Sequence, residues 1–556
     1  MNFKIKLTDG VVHDIPNTKG ISCKLLQLAQ LTPDFQIGNA THYLSDLFGQ
    51  AELNHLKLGH SAIISTEVGT GKSTAILKIA AAMPGHENIY ILSNRKYCLI
   101  QLKREYLKMI GMSTSNWNDD AVLGYDTENV TFMTYQKLAR KGPCYKFPSE
   151  SMIVLDEIHY LLNDAVFSSD PMIIQKILHW NKASTKRIYI SATMDEVLDE
   201  IIQIESKYED STNIHDIFRN NEIYKINKTL IDQIYLMESN WEHLCLKFYH
   251  YSDIDELATY LNENRTAGKK SLIFIRNKNR GEKLKEKLDD CEMVFSTDDQ
   301  MPILSKISDR AEYSCGNLIS TKVLENGISI TDDKVDTIVI DELDPTVFKQ
   351  FLGRVRNSRT KPRKLTLILP DYSLSELIQM QRQYYERIKE IQTVIKEPEY
   401  CMANIQTFFP YVYYDLVHNS PAPNYLALKK FKNLKNYVDA RIEEEKINPH
   451  AHIHSIQRLL FLPEQIDDKQ FLNYDDIATF KKGVTNAYES FENSPKQKAD
   501  RDALAQALIK VVSNTNQYPK KITGSQLQLE KINDILSYAG IKNTIVFLGE
   551  QFGIVN

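Results

Sequence analysis

Paired cysteines are missing from this sequence, which limits the chemistry open to it. The 556 residues include seven cysteines, and no two of them are spaced as CxxC. A scattered and odd-numbered set argues against a disulfide framework and against a zinc site. We therefore expect reduced thiols and a cytoplasmic location.

Long apolar runs are missing as well. No stretch approaches the roughly 18 consecutive apolar residues that a membrane-spanning helix needs. The N-terminal stretch MNFKIKLTDG is polar and does not have the pattern of a signal peptide. Secretion and insertion into a membrane are therefore not expected.

The chain also has no excess of positive charge. Its 67 Lys and Arg residues face 72 Asp and Glu residues, for a net charge of −5. A nucleic-acid ligand would have to be held by local basic and hydroxyl groups in a cleft, because long-range attraction by the whole surface is absent. An apolar content of 42% and this length predict a globular protein of three or four domains.

The order of predicted elements indicates two tandem α/β domains followed by a helical one. Short apolar runs alternate with helical periods over residues 61–193 and again from about 243 to 370, which is typical of parallel sheets covered by helices. After Pro370 the pattern is mostly helical. We place domain limits at 1–45 (a hairpin and helix), 46–235, 236–395 and 396–556, with a polar connection at 204–222.

The stretch STEVGTGKSTAIL, residues 65–77, is typical of a phosphate-binding loop. Glycines permit a tight turn whose amide N–H groups point at phosphate oxygens, and the helix N-terminus behind them favours anions. The full pattern has a glycine where this chain has Thr66, and an ordinary glycine turn with an exposed lysine is the alternative. The expected nucleotide contacts are Gly69, Thr70, Gly71, Lys72, Ser73 and Thr74.

A pair of carboxylates follows the apolar run MIV in the stretch LDEIH, residues 155–159. Asp156 would hold Mg²⁺ together with the Ser73 hydroxyl, and Glu157 would polarise the attacking water. A strand-terminating turn would explain the same letters. Both carboxylates fall at the sheet edge where Lys72 is also expected, which favours a site.

Further short stretches occur in the order of the motifs of superfamily 2 helicases, which this chain resembles over residues 45–370. The resemblance is to DEAD/DEAH-box-like members with DEIH in place of DEAH, including helicases of bacterial viruses and plasmids. The matching stretches are SNRKYCL 93–99, TYQKL 134–138, SAT 191–193, IFIRNK 273–278, STKVLENGISI 320–330 and QFLGRVR 350–356.

The resemblance implies two RecA-like domains that hydrolyse ATP with Mg²⁺ in the cleft between them. It implies Lys72, Glu157, Gln350 and Arg354 as catalytic residues, and it places Gly327 near the nucleotide. Arg95, Thr134 and Thr321 would contact single-stranded DNA or RNA. It further implies a monomer in the cytoplasm, the host's if the protein is viral, with a protein partner possible at the C-terminal domain.

The chain departs from the helicase pattern at QFLGRVR. Arg356 and Asn357 stand where the family has a glycine and a second arginine. Either Arg356 reaches the site from a different direction or there is a single arginine finger. A strand-separating hairpin has little room between Thr321 and Gln350, so a wedge would come from the tail or from the N-terminal region.

The tail contains two stretches that mix rings and cations, FFPYVYY at 408–414 and KKFKNLKNYVDAR at 429–441. Interleaved lysines and aromatic rings can hold a single strand by charge and stacking. The same pattern at helical spacing is more often part of a core. We expect the core interpretation to hold for most of these residues.

Three functional hypotheses remain open from the sequence. The leading one is an ATP-dependent helicase or translocase that moves along single-stranded nucleic acid. The second is a nucleic-acid-stimulated ATPase without unwinding, such as a remodeller or a motor subunit of a nuclease or packaging complex. The third is a nucleic-acid-binding scaffold that no longer hydrolyses ATP.

Overall fold

A computed structural model gives the architecture of the chain, beginning with a small N-terminal hairpin of β1 (Phe3–Lys6) and β2 (Val12–Ile15). A short 3-10 helix, Leu44–Asp46, and a helix, Gln50–His55, follow. The structure describes residues 3–6, 12–15, 24–25, 28, 32, 34–39, 41, 43–67, 69–82, 88–206, 230–265, 268–295, 307, 311–321, 329–358, 362–472, 474–515, 527–548 and 551–555.

Lobe one is built on a seven-stranded sheet in which every pairing is parallel. Its strands are β3 (Asp34–Gly38), β4 (Ser61–Ser65), β5 (Ile89–Ser93), β6 (Val130–Thr134), β7 (Met152–Leu155), β8 (Lys186–Ser191) and β9 (Ile231–Met237). They lie in the order β3-β9-β4-β8-β7-β5-β6. All four residues of β7 are buried, as a parallel sheet covered on both faces requires.

Helices connect these strands and cover both faces of the sheet. They are Lys72–Ala82, Lys96–Met109, Asp119–Gly124, Tyr135–Ala139, Tyr160–Asn163, Asp170–Asn181 and Met194–Glu205. Because β4, β8 and β7 are neighbours and parallel, the loops that leave their carboxyl ends meet at one edge. Those loops carry the phosphate-binding stretch, the SAT triplet and the DEIH stretch.

Lobe two repeats the arrangement with six parallel strands. They are β10 (Leu244–His250), β11 (Lys270–Ile275), β12 (Cys291–Val294), β13 (Asn317–Ser320), β14 (Val335–Asp341) and β15 (Leu365–Asp371), in the order β10-β15-β14-β11-β13-β12. Its helices are Ile254–Arg265, Lys278–Lys285 and Pro345–Leu352.

The remaining described residues form a helical unit with two small hairpins. Its first helix, Leu374–Lys396, starts with a capping box between Ser373 and Glu376, which satisfies free amide groups at the helix start. The other helices are Pro398–Ala403, Ile405–Phe408, Tyr425–Ile447, Ala451–Leu459, Tyr474–Glu492, Lys498–Thr515 and Leu529–Tyr538, with a 3-10 turn at Asp468–Gln470. The hairpins pair β16 (Val412–Asp415) with β17 (Ser420–Pro423) and β18 (Thr544–Phe547) with β19 (Phe552–Val555).

The fold class predicted from the sequence is therefore confirmed: two parallel-sheet, RecA-like α/β domains precede a helical C-terminal part. The domain limits stay a prediction, and two contacts in the structure bear on where the units begin and end. Strand β3 pairs with β9 and so joins the sheet of lobe one, although it lies within residues 1–45. Helix Leu374–Lys396 packs on Tyr425–Ile447 of the helical unit. Most of the expected connection at 204–222 lies outside the described residues.

No helix among the described residues is both long enough and apolar enough to cross a lipid bilayer.

One buried lysine of the helical unit joins both lobes. The side chain of Lys430, on the helix Tyr425–Ile447, is 3% exposed. Its ammonium pairs with Glu196 of lobe one and lies 2.7 Å from Asn163 Oδ1. It also lies 2.6 Å from Asp344 Oδ2 of lobe two. A single cation thus neutralises one carboxylate from each lobe.

The charges at this junction support one another. Burial alone would lower the pKa of Lys430, but the carboxylates of Asp344 and Glu196 raise it above its usual value. Lys430 is therefore charged at neutral pH. Asp344 also caps the helix Pro345–Leu352 by accepting from the Thr346 amide at 3.0 Å. The junction therefore fixes the start of that helix against lobe one.

We predict that Lys430→Met destabilises the protein by about 3–5 kcal/mol, because it leaves two buried carboxylates without their cation. Urea unfolding followed by circular dichroism should show an earlier transition. Lys435→Met is the matched control on the same helix, since Lys435 makes a partly exposed pair with Asp439 and should change stability by less than about 1 kcal/mol. Equal midpoints for the two variants would contradict this role of Lys430.

Candidate active site

The glycine-rich loop forms a tight turn between β4 and the helix that follows it. Gly69 and Gly71 have φ angles of +87° and +81°, a region that favours glycine. The buried Thr70 hydroxyl lies 2.9 Å from the Glu67 carbonyl oxygen and 3.0 Å from Thr66 Oγ1. Thr66, at the position where the full pattern has a glycine, therefore helps to hold the loop in shape.

The two carboxylates predicted from LDEIH lie opposite this loop, at the end of β7. Lys72 Nζ donates to Glu157 Oε1 at 3.2 Å. Glu157 has a φ angle of +53°, an uncommon conformation for a residue with a side chain. Asp156 beside it is buried, with 8% of its surface exposed. The turn after β7 thus points both carboxylates into the same space as Lys72.

The pKa values of the two carboxyl groups shift in opposite directions, because the charges around them differ. Burial raises the pKa of Asp156 to about 7, and the neighbouring charge of Glu157 adds to the rise. Burial acts on Glu157 as well, but nearby cations, chiefly Lys72, outweigh it and lower its pKa to about 2. The two carboxyl groups therefore differ in acidity, and Asp156 is the one that holds a proton more readily.

The predicted motif of lobe two faces the loop across the cleft. Gln350, on the helix Pro345–Leu352, is fully buried. The Arg354 guanidinium donates to Gln350 Oε1 at 3.1 Å and to its carbonyl oxygen at 3.1 Å. Arg354 is held by these neutral acceptors at 4% exposure. The side chain therefore brings a positive charge to the cleft from the second lobe.

Arg356 also reaches the cleft, which answers the question left open by the unusual motif spacing. Its backbone N–H donates to the Ile330 carbonyl oxygen at 2.8 Å, so this arginine extends from a strand-like segment beyond the helix. Its Nε donates to Ser329 Oγ at 2.9 Å. Its Nη1 lies 3.1 Å from the point that a Cβ on Gly69 would occupy. A side chain at position 69 would crowd this guanidinium.

The guanidinium of Arg356 is buried and incompletely satisfied. Among the described residues, no group accepts a hydrogen bond from its Nη1. Burial, with the charge of Arg354 second, lowers the pKa of Arg356 to about 10. It remains charged at neutral pH. A buried cation with a free donor directed at a phosphate-binding loop is suited to an anion.

These groups line one cavity of about 340 Å³ between the lobes. Lobe one supplies the loop, the start of its helix and the carboxylate pair, and lobe two supplies both arginines and Ser329. Thr70 and Gln350 lie behind the wall and support it. The predicted residues at the wall are Gly69, Gly71, Lys72, Ser73, Thr74, Asp156, Glu157 and Arg354.

The donor set fits a magnesium ion bound with a triphosphate. The Ser73 hydroxyl and the Asp156 carboxylate line the cavity together, and oxygen ligands of this type are the ones that Mg²⁺ prefers. The raised pKa of Asp156 shows a buried carboxylate that lacks sufficient positive charge around it. A divalent cation would supply that charge.

A buried histidine, which the sequence interpretation did not single out, connects the two lobes behind the cavity. His159 Nδ1 lies 3.1 Å from Ser191 Oγ and 3.3 Å from Gln350 Nε2. Gln350 Nε2 also lies 3.5 Å from Thr193 Oγ1. Burial lowers the pKa of His159 to about 4, so the ring is neutral and can accept from the Gln350 amide. The histidine of the DEIH stretch is the feature of the sequence that could have pointed to this residue.

The predicted nucleic-acid contacts in lobe one lie outside the cavity, at a common edge. Arg95 follows β5, and Thr134 ends the adjacent strand β6. The Arg95 side chain is 43% exposed and lies 3.7 Å from Asp164 Oδ2. Thr134 Oγ1 accepts from the Lys137 amide at 3.1 Å and so caps a short helix. Their roles stay a prediction.

The remaining two predicted contacts belong to lobe two. Thr321 follows β13, is partly buried and donates its amide to the Val294 carbonyl oxygen at 3.3 Å. Gly327, which the sequence placed near the nucleotide, lies outside the described residues.

A tyrosine links the edge that carries Thr134 to the carboxylate pair. The hydroxyl of the fully buried Tyr135 donates to the Asp156 carbonyl oxygen at 2.9 Å. Its ring stacks on Tyr160, with centroids 4.5 Å apart and an interplanar angle of 8°. A displacement of the edge would therefore be transmitted to the turn after β7.

Several residues of the basic stretch 429–441 in the tail make contacts inside the protein. Lys429 donates to Glu200 Oε2 at 2.8 Å, and Lys430 forms the junction between the lobes. Phe431 and Tyr437 are partly buried and pack against apolar clusters. Phe431, Tyr437 and Lys430 thus make interior contacts, as the core interpretation expects, and both lysines are engaged by carboxylates.

Comparison with known families matches a part of lobe one. Residues 39–196 match the model of a family described as "Type III restriction enzyme, res subunit". This range contains the loop, the DEIH stretch and the SAT triplet. No curated protein sequence matches the chain.

Several solved helicase structures show weak likeness, all with TM-scores below 0.5. Mss116p bound to ssRNA and AMP-PNP is 13% identical over 90% of this chain and 89% of its own, with a TM-score of 0.42. Dbp5 of S. cerevisiae bound to RNA and ADP BeF3 is 16% identical over 62% and 92%, with a TM-score of 0.39. The helicase Lhr of Mycobacterium smegmatis bound to ssDNA and AMP-PNP is 12% identical over 59% and 46%, with a TM-score of 0.38.

The family match covers the loop and the DEIH stretch that lobe one contributes to the cavity. Two RecA-like lobes stand in tandem, as the sequence predicted. The likeness to helicases of bacterial viruses and plasmids in particular stays a prediction. The similarity to the restriction-enzyme family covers residues of lobe one that include the loop, the DEIH stretch and the SAT triplet.

Proposed function

We propose that this protein is an ATP-dependent helicase or translocase that moves along single-stranded nucleic acid. The observation that carries the proposal is the cavity itself, where the loop of lobe one meets Arg354 and Arg356 of lobe two. Because the two lobes contribute different residues to this site, a movement of one lobe changes the distances between those residues. Hydrolysis can therefore be coupled to a displacement of one lobe against the other.

The phosphate-binding step rests on residues of both lobes. The amide groups of the loop around Gly69 and Gly71 would cradle the β and γ phosphates, with Lys72 as counter-charge. Lys72 would then leave Glu157, which it contacts at 3.2 Å without a ligand. That exchange removes the main cation that lowers the pKa of Glu157, so this carboxylate becomes a better acceptor for a proton from water.

The hydrolysis step would use the groups around the γ-phosphoryl. Ser73 and Asp156 would hold Mg²⁺, which neutralises charge on the phosphate oxygens. Glu157 would orient the attacking water and take its proton. Arg354, positioned by Gln350, and Arg356 would stabilise the charge that grows on the transferred group. Thus the second lobe is needed for turnover as well as for binding.

Coupling between the lobes would run through the pair Gln350 and His159. Gln350 moves with the helix of lobe two, and its amide contacts both His159 and Thr193 of lobe one. Opening of the cleft would break both contacts. The strand-binding edge connects to the same place, since Tyr135 holds the carbonyl oxygen of Asp156.

A motor that consumes ATP on a strand without separating a duplex is the second candidate. The observation in its favour is the description of the matched family, a subunit of a restriction enzyme. Such a subunit would act as the motor of a nuclease complex.

The test of the proposal is ATP turnover with matched single strands of DNA and RNA at fixed salt, since affinities for nucleic acid depend steeply on salt. We expect the rate of phosphate release to rise many-fold with one or both strands. No rise with either would contradict a motor and favour a non-hydrolysing scaffold. Separation of a tailed duplex then distinguishes a helicase from a motor that does not unwind.

We predict that Glu157→Gln binds ATP as the wild type does but turns it over about 100 to 10,000 times more slowly, the usual contribution of a general base. Single-turnover phosphate release and binding of a fluorescent nucleotide measure the two effects. Glu386→Gln is the control, because Glu386 is an exposed surface residue. Unchanged turnover in Glu157→Gln would show that another group activates the water.

Arg356→Ala should weaken nucleotide binding by about tenfold or more, because it removes a charge-assisted hydrogen bond to phosphate worth about 1.5–3 kcal/mol. Titration with a fluorescent ATP analogue and with the matching ADP analogue measures the change. Arg387→Ala is the control, since Arg387 pairs with Glu390 on an exposed helix face. Wild-type affinity in Arg356→Ala would mean that this guanidinium does not contact the nucleotide.

A further inference from the structure

The helix Lys96–Met109 lines one side of the cavity between the lobes with a single face. Its lining residues lie three, four and seven positions after the first of them, which places their side chains on the same side of the helix. They are Cys98, Gln101, Leu102 and Glu105. The steps proposed for phosphate binding and hydrolysis use none of these residues.

Glu105 is the residue of this face that a triphosphate cannot contact favourably. Like Asp156 and Glu157, it places a carboxyl group at the cavity wall. Mg²⁺ would neutralise Asp156, and Glu157 would hold the attacking water, but Glu105 would repel phosphate oxygens at short distance. A nucleotide in the cavity must therefore place a different group beside Glu105, one that donates hydrogen bonds.

The two ends of the helix face lie near different parts of the site. Burial raises the pKa of the Cys98 thiol to about 11, and the charges of Arg354 and Asp156 also act on it, so this end is near the hydrolysis groups. Glu105 lies about 10 Å further along the helix. Burial raises the pKa of Glu105, whereas nearby groups that include the charge of Arg356 lower it. Glu105 is therefore at the far end of the face, near Arg356.

The polar groups at this far end can accept hydrogen bonds. Gln101 Nε2 donates to Glu105 Oε1 at 3.3 Å, and Gln101 is the described residue that hydrogen-bonds this carboxylate. Arg356 and Lys108 act on it through their charge. The contact leaves the Gln101 carbonyl oxygen and the second oxygen of the Glu105 carboxylate to accept from a ligand. A group with two neighbouring donors would fit them.

A nucleotide offers such a pair of donors in its ribose. The 2′- and 3′-hydroxyl groups lie side by side, and an acidic residue is a common partner of a ribose hydroxyl in nucleotide-binding folds. The edge of adenine instead sets an amino donor beside a ring-nitrogen acceptor, which would oppose the acceptor oxygens of Gln101 and Glu105. The ribose is also the first group after the phosphates, which suits the position of Glu105 near Arg356.

We propose that Glu105, held by Gln101, recognises the ribose of the bound nucleotide by accepting from its 2′- and 3′-hydroxyl groups. The proposal rests on the proposed function, and it adds a reason for the site to prefer ribonucleotides to deoxyribonucleotides. Arg356 belongs to lobe two, and its charge favours the ionised form of Glu105. Recognition of the ribose is therefore strongest when lobe two closes the cavity.

The test measures the affinity of the full chain for three nucleoside diphosphates by isothermal titration calorimetry in the presence of Mg²⁺. Diphosphates are not turned over, and unlabelled ones keep the ribose hydroxyl groups free. We expect the wild type to bind ADP about tenfold or more tightly than 2′-deoxyADP, because the deoxy sugar leaves a hydrogen bond to a charged group unmade. GDP, the third nucleotide, changes the base and keeps the ribose.

Glu105→Ala should bind ADP and 2′-deoxyADP with nearly the same affinity, mainly because it binds ADP more weakly. Glu105 is only partly buried and alanine is favourable in helices, so the variant should fold. Glu105→Gln keeps an acceptor oxygen without the charge, so it should retain a smaller preference for ADP. Glu386→Ala, on an exposed helix face, is the control and should keep the wild-type preference. Circular dichroism during urea unfolding verifies that each variant is folded.

The outcomes distinguish this proposal from the proposed function. If the wild type binds ADP and 2′-deoxyADP equally, or if Glu105→Ala keeps the preference for ADP, the ribose contact is overturned, while strand-stimulated turnover can still establish a motor. If Glu105→Ala instead changes the ratio of the affinities for ADP and GDP and keeps the preference over 2′-deoxyADP, the carboxylate faces the base, and the proposal is overturned as well. If the wild type binds none of the three nucleotides, both proposals fail.

Discussion

The arrangement of the whole molecule depends on one buried cation, the ammonium of Lys430. It lies between Glu196 of lobe one and Asp344 of lobe two, and neither carboxylate could remain charged at that depth without it. Glu196 lies in the first turn of the helix that follows the SAT triplet, and Asp344 caps the helix that carries Gln350. The helical unit therefore sets the distance between the elements that form the two walls of the cavity.

The cavity is built to receive negative charge. Without a nucleotide, Lys72 is engaged by Glu157, Arg354 is held by the neutral oxygens of Gln350, and Arg356 keeps a buried donor that no described residue accepts. A phosphate oxygen could accept from the free donor of Arg356 and could replace Glu157 and Gln350 as the partner of the other two cations. Binding of a triphosphate would therefore satisfy three cations at once, and it would draw the second lobe toward the loop because two of the three belong to lobe two.

The edge of lobe one that carries Arg95 and Thr134 is joined to the carboxylate pair by direct contacts. Tyr135 begins the helix capped by Thr134, and its hydroxyl holds the carbonyl oxygen of Asp156. On the outer side of the same lobe, Asp164 Oδ2 lies 3.7 Å from Arg95 Nη1. The helical unit contacts the same lobe through Lys430, which pairs with Glu196 and lies 2.7 Å from Asn163 Oδ1.

The sequence by itself determined the elements and the chemistry of each motif, because the glycine loop, the DEIH stretch and the strand periods are local patterns. It predicted Lys72 beside Glu157 and Arg354 in the cleft. It could not decide how Arg356 is directed, because that depends on the Val355 pairing with Ile330 in a strand-like bridge. Nor could it assign Lys430 to the interior, since the contacts of this lysine with Glu196 and Asp344 are fixed only when the lobes and the helical unit pack.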